Sequence, residues 1–201
     1  MPGCASPAIP AGAGASSPPS NESRDPVTEP LRYPDALIRR ILRETKSIAM
    51  VGASGNDNRP SYFAFKYLLQ RGYRMFPVNP GQAGKEILGV RVHASLAEIG
   101  EPLDMVDIFR NSEAAGPIVD EALGLSPPPK VIWMQLGVRN DAAAAKAEAA
   151  GVTVIMNRCP KIEYGRLSGE IGWAGVNSRV MSSKKPALMA GFQKFSVEDE
   201  G

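Results

Sequence analysis

Residues 46–80 read KSIAMVGASGNDNRPSYFAFKYLLQRGYRMFPVNP: an apolar run, a small polar loop, a helix-like stretch and a second apolar run. Ile48 to Val51 form a continuous β-prone segment, the pattern of a parallel strand buried on both faces. Gly52-Ala53-Ser54-Gly55 opens a loop whose small residues let backbone approach a ligand closely. Pro60 suits the first helical position, where its missing N–H costs nothing. Tyr62, Phe65, Leu68 and Leu69 then supply a helical apolar stripe, stopped at Gly72. Tyr73 to Val78 read as a second strand, ended by Asn79-Pro80-Gly81. The stretch is the first βαβ unit of a nucleotide-binding sheet. The start of its helix, with free N–H groups and a positive dipole end, is an anion site.

The same alternation continues on either side. Upstream, Tyr33 to Arg43 place Leu37, Ile38, Ile41 and Leu42 on one helical face. Downstream, residues 85–93 predict a small extra strand or an edge excursion, and Ser95 to Ile99 one helical turn. Leu103 to Phe109 read as the third main strand, followed by a helix over 113–123 with Ile118, Val119, Ala122 and Leu123 inward. Pro117 argues for a start later than Ser112, because it would lie past the free N–H groups. Lys130 to Met134 form the fourth strand, and Asn140 or Asp141 caps an alanine-rich helix running to Ala150. Val152 to Met156 form the fifth, and Pro160 opens a last helix over 161–168. Short links between alternating elements predict an α/β, Rossmann-like, doubly wound parallel sheet of about five main strands in three layers. Ligands of such sheets lie outside the carboxyl ends of the strands, where strand order reverses. The five ends carry Ala53-Ser54, Asn79-Pro80, Arg110-Asn111, Gln135-Leu136-Gly137 and Asn157-Arg158-Cys159, small and polar groups beyond apolar strands.

A chain of 201 residues has room for one well-buried domain with tails. Residues 1–30 are rich in Pro, Ala, Gly and Ser without hydrophobic period, so a disordered tail is expected there. The folded domain is expected over 31–168 and a glycine-containing extended arm over 169–201. A net charge of +2 gives no global field for nucleic acid or an acidic membrane surface. No apolar run reaches the roughly 20 residues that span a bilayer. Two cysteines, Cys4 and Cys159, are too few for a disulfide scaffold, which fits a reduced, cytoplasmic protein.

The edge residues also narrow the ligand. An NAD site wants G-x-G-x-x-G and an acid at the end of the second strand. Here the loop is Gly52-Ala53-Ser54-Gly55-Asn56-Asp57 and the strand ends in Val78-Asn79-Pro80, so both features are missing. No Gly-Lys-Ser/Thr follows the first strand either. A neutral Asn79 tolerates a phosphorylated ribose, and Arg59, Arg110 and Lys161 near the strand ends suit a ligand with several phosphates. Coenzyme A fits those features, and NADP fits them on charge alone.

VGAS, RPSYFAFKYL, GYRMFPVNP, ILGVRVHASL, DMVDIFR, VIWMQLGV and MNRCPKIE, in this order between Tyr33 and Arg166, resemble the small CoA-binding protein family. Its members are stand-alone relatives of the CoA-binding domain of succinyl-CoA synthetase α subunits and acyl-CoA synthetases. The resemblance implies a Rossmann-like fold with CoA, or an acyl-CoA, bound across the strand ends. It would place Gly52, Ala53 and Ser54 along the phosphates, with Arg59, Pro60 and Ser61 at the helix start. Asn79 and Pro80 would face the adenosine, Phe109, Arg110 and Gln135 the pantetheine path, and Cys159 and Lys161 would close the site.

Several of these residues also have plain structural readings. Ser54 can satisfy its own backbone, and Asn79 can shape the Asn-Pro-Gly turn. Asp107, inside an apolar strand, is expected to be held by a structural hydrogen bond. Arg158 and Lys161 are expected to favour the thiolate of Cys159, which opens a mixed disulfide with the CoA thiol. His93, the one histidine, is read as structural and away from a main strand end. With no acid–base–nucleophile set, metal cluster or ligase module legible, a non-catalytic CoA-binding carrier, sensor or regulatory module is expected. The alternatives are an NADP-dependent oxidoreductase and an interaction subunit that regulates a partner enzyme through the C-terminal arm.

Overall fold

The computed structural model describes residues 31–169. The expected tail over 1–30, and the expected arm from residue 170 onward, lie outside the described residues. In chain order the elements are α1 (Asp35–Glu44), β1 (Ser47–Val51), α2 (Pro60–Gln70), β2 (Arg74–Val78), β3 (Glu86–Ile87), β4 (Val90–Arg91) and β5 (Met105–Ile108). Then follow α3 (Ser112–Leu123), β6 (Val131–Met134), α4 (Asp141–Ala149), β7 (Thr153–Ile155) and α5 (Pro160–Leu167). Five strands form one sheet in the order β2-β1-β5-β6-β7, every neighbouring pair parallel. This is the expected doubly wound α/β sheet. Its chain order reverses between β1 and β5, and that reversal defines the crevice.

Period-two alternation assigns the strand side chains to two apolar layers. Ala49, Val51, Val106, Ile108, Ile132 and Met134 face α3 and α4. Ile48, Met50, Met105, Trp133 and Ile155 face α1, α2 and α5. Trp133 and Phe65, both fully buried, each contribute about 2–3 kcal/mol of transfer free energy to the second layer. On the other side α4 meets the sheet through Ala143, Ala144 and Ala147, so small side chains let that helix lie close.

Two local expectations change. The inward face of α2 is Ser61, Ala64, Phe65 and Leu68, while Tyr62 and Leu69 are only half-buried. Phe65 and Leu68 are inward as expected, the small Ser61 and Ala64 join them, and Tyr62 and Leu69 pack at the margin of the same core. In addition, α3 begins at Ser112 despite Pro117. Asn111 caps it by accepting from Ala114 N at 3.0 Å. Pro117 is exposed, where the carbonyl it leaves unbonded can reach water.

Between β2 and β5 the chain makes an excursion. β3 and β4 form an antiparallel hairpin turned at Leu88 and Gly89, both with positive φ, the conformation that matches strand twist in a two-residue turn. His93 returns to β2 in an isolated parallel bridge with Val78. His93 N donates to Pro77 O and His93 O accepts from Asn79 N, each at 2.9 Å. The histidine therefore stands beside the carboxyl end of a main strand, contrary to its expected position, because backbone pairing brings the segment back.

Gly52 ends β1 with φ +88°, and a Cβ there would stand 2.8 Å from Phe109 O and 3.0 Å from Arg110 Cδ. Gly52→Ala is expected to destabilise the protein by about 2 kcal/mol or more, combining left-handed strain with overpacking. Urea unfolding checks this; an unchanged midpoint would refute it.

Candidate functional site

The carboxyl edge is built outward from the end of β1. Phe109 N donates to Val51 O at 2.8 Å, and Gly52 N donates to Val78 O at 2.9 Å, so the β1 terminus is tied to both neighbouring strands. The loop beyond is shaped by its own polar groups. Ser54 Oγ accepts from Asn56 N at 3.2 Å, and Asn56 Oδ1 from Asn58 N at 2.9 Å. Asn79 Nδ2 donates to Ala53 O at 2.7 Å while its Oδ1 accepts from Gly81 N at 3.0 Å. Both poles of the Asn79 amide are thereby used inside the protein, which assigns it the turn-shaping role and a clamp on the loop. Gln82, which sequence reasoning missed, accepts from Gly55 N at 3.1 Å through Oε1. Nothing in its surrounding residues signals this, because the contact depends on where the β2 turn folds back.

The helices that start at this edge differ. α3 and α4 are capped by Asn111 and Asn140 side chains. α2 and α5, which share the other face of the sheet, have no side-chain cap and carry Pro60 and Pro160 in the first turn. Lys161 Nζ stands 5.9 Å from the Phe63 ring centre and joins their first turns. Arg59, immediately before α2, is exposed, and so is Arg110, whose stem lies against the Gly52 turn. Neither guanidinium has a hydrogen-bond or ion-pair partner among the described residues. The edge therefore combines a glycine turn, uncapped helix starts and cations, an arrangement that can hold phosphate oxygens.

Of the expected site residues, Gly52, Ala53, Ser54, Arg59, Pro60, Ser61, Asn79 and Pro80 surround the β1 loop. Phe109, Arg110, Gln135, Cys159 and Lys161 occupy the ends of β5, β6 and β7 on the same edge. Their surroundings correct one expectation. Burial pushes the Cys159 thiol up to about 11, outweighing the nearby Ile162 and Lys161 N–H groups. The thiolate is thus disfavoured at neutral pH. Arg158 does not help it: its guanidinium donates to Leu31 O at 2.9 Å and lies over the Tyr33 ring.

Asp107 and Gln135 form the polar floor between β5 and β6. Asp107 is fully buried, and both of its carboxyl oxygens accept from Gln135 Nε2, at 2.9 and 3.1 Å. The expected structural hydrogen bond is present, and its partner is a residue expected along the ligand path. Burial pushes the Asp107 carboxyl up to about 8, and the Gln135 hydrogen bond opposes this only in part.

A hollow of about 190 Å³ at the opposite edge is lined by Arg40, Glu44, Asp104, Lys130 and Thr153, among others. It is below the roughly 300 Å³ of ordinary ligand pockets. Asp104 there is already engaged by Lys46 N, Ser47 N and Lys130 Nζ. The hollow is a charged seam between elements. Among the described residues no helix is long and apolar enough to cross a membrane, and no group of three or more His, Cys, Asp or Glu could hold a metal ion.

Residues 46–165 match the family model described as CoA binding domain. The chain belongs to this CoA-binding domain family. The uncharacterized protein YneT of Bacillus subtilis is 39% identical over 129 residues, 64% of this chain and 93% of that protein. A hypothetical protein from Pyrococcus horikoshii OT3 has a solved structure at 36% identity with a TM-score of 0.64, covering 69% of this chain and 98% of that one. The dinucleotide-forming acetyl-coenzyme A synthetase 1 of Ca. Korarchaeum cryptofilum shares the fold at 19% identity with a TM-score of 0.50, over 60% of this chain and 27% of that one. The family domain spans every strand and loop that builds the glycine-turn edge.

The Asp107 acid makes a pH prediction. Folded Asp107 keeps a proton that the unfolded chain releases near pH 4. Its contribution to stability is full below that pH and is lost as pH rises, levelling off above about 8. Asp107→Asn removes this loss. The variant is expected to gain on the wild type steadily between about pH 5 and pH 8. Urea midpoints of both proteins across that range test it, and parallel curves would show that Asp107 does not titrate there.

Proposed function

We propose that the chain binds coenzyme A or an acyl-CoA across the carboxyl edge of the sheet and acts without catalysis, as a carrier, sensor or regulatory module. The observation that carries this reading is the uncapped start of α2, beside the Gly52 turn at the β1–β5 reversal, in a chain of the CoA-binding domain family. In this reading the diphosphate lies on the Gly52–Ser54 turn and the α2 start, within reach of Arg59 and Arg110. The adenosine lies toward Asn79 and Pro80. The pantetheine runs past Phe109 and Gln135 toward Lys161. Cys159 lines the thiol end as a neutral, buried group, so a mixed disulfide with the coenzyme is not part of the proposal. A reduced cytoplasmic setting accords with that free thiol.

The reading requires no acid–base pair. Asp107 lies in the sheet and is held by Gln135, and Cys159 has a raised thiol pKa. Arg59 and Arg110 supply charge to an open edge, where each phosphate contact contributes about 1–2 kcal/mol.

Calorimetric titration of the full chain tests the reading. Micromolar CoA binding is expected, about −8 kcal/mol, with little response to NAD. Arg59→Ala and Arg110→Ala are each expected to weaken it by roughly tenfold, with unchanged thermal unfolding. Binding of NADP in place of CoA, or turnover of NADPH, would overturn the proposal in favour of an oxidoreductase.

A further inference from the structure

Gln135 is the first residue past β6, and its backbone N–H continues the ladder to Ile108 O at 3.2 Å. Alternation puts its side chain on the face of Trp133, the face onto which Asp107 also projects from β5. There the two meet, Nε2 against both carboxyl oxygens. An amide has two poles, and this contact uses the donor pole. The acceptor, Gln135 Oε1, takes no hydrogen bond from the described residues. It is not sealed in either: among the described residues, the buried side-chain polar atom without a partner is His93 Nδ1. A residue only 5% exposed thus keeps one unused acceptor open at the carboxyl edge.

We propose that Asp107 is a positioning residue for ligand recognition: by holding Gln135 Nε2 it turns Gln135 Oε1 toward the crevice, where Oε1 accepts an amide N–H of the pantetheine arm. The inference rests on the CoA reading above and deepens it. It assigns to the β5–β6 end a preference for a ligand carrying an amide donor, beyond the phosphates that the β1 loop holds. The physical basis is the cost of the alternative. In the observed orientation both carboxyl oxygens accept from Nε2, whereas a turned-over amide would exchange these contacts for at most one, from a protonated acid O–H to Oε1. The neutral acid favoured by burial still offers an acceptor oxygen to Nε2. The arrangement therefore does not depend on a buried charge.

The test compares CoA with adenosine 3′,5′-bisphosphate, which has phosphates and base but no pantetheine, on the full chain. Gln135→Met removes both poles and Asp107→Leu removes the acceptor that orients the amide. Each is expected to lower CoA affinity by roughly three- to tenfold, the worth of one hydrogen bond, and to leave bisphosphate affinity unchanged. Asp107→Asn keeps a carbonyl for Nε2 and is expected to retain CoA affinity within about twofold. If Asp107→Leu fails to fold, Gln135→Met and Asp107→Asn carry the test. Equal loss for both ligands would assign the pair a structural role only and overturn the inference. So would unaltered CoA binding in Gln135→Met. Wild-type protein that binds the bisphosphate but gains nothing from the pantetheine arm would overturn this inference while leaving nucleotide binding standing. Wild-type protein that binds neither would remove the CoA reading itself, and this inference with it.

Discussion

The end of β1 is held from two sides at once. Val51 O receives a hydrogen bond from the strand on one flank, and Gly52 N gives one to the strand on the other. With both neighbours parallel, the chain can leave the sheet only outward over its carboxyl edge, and it must do so where β5 closes in on the turning residue. A glycine is the residue that can occupy that turn beside Phe109 O. The placement of α2, the reach of the polar loop and the position of Arg110 all descend from this one departure.

The two faces of the sheet then take different parts. On the α3–α4 face each helix satisfies its first turn with an asparagine of its own chain. On the α2–α5 face the helix starts lack such caps, and Arg59 and Lys161 stand at them. Beneath that face the β5–β6 pair of Asp107 and Gln135 replaces apolar packing with a hydrogen-bonded pair. Such a buried polar pair adds little to net stability and is conspicuous for that reason. The asymmetry concentrates on one side of the crevice the features that a charged, amide-bearing ligand could use.

Much of this was legible in the amino-acid sequence because it depends on local chemistry. Apolar runs gave the five strands, and Gly52, Pro60 and Pro160 marked the turn and the helix starts. The edge residues were legible because strand ends follow from strands. What escaped depends on tertiary pairing. On α2, Ser61 and Ala64 share the buried face with Phe65 and Leu68 while Tyr62 and Leu69 sit at its margin, a distinction that apolar character alone does not draw. The ionisation of Cys159 was misread because adjacent cations in sequence point elsewhere in space. Gln82 and the return of His93 were invisible because both depend on how the β3–β4 excursion folds back.

That return has a consequence for the outer rim of the sheet. β2 is an edge strand, and its outward-facing backbone groups belong to alternate residues. Pro77 has no N–H to offer, its carbonyl is taken by His93 N, and Asn79 N is taken by His93 O. Tyr73 N, just before the strand, is turned back to Leu68 O. What remains open is a short stretch around Met75, flanked by the charged Arg74. Too few donors and acceptors are left in register for another chain to add a strand there, so this flank of the molecule is protected against edge-to-edge aggregation by the returning His93 segment.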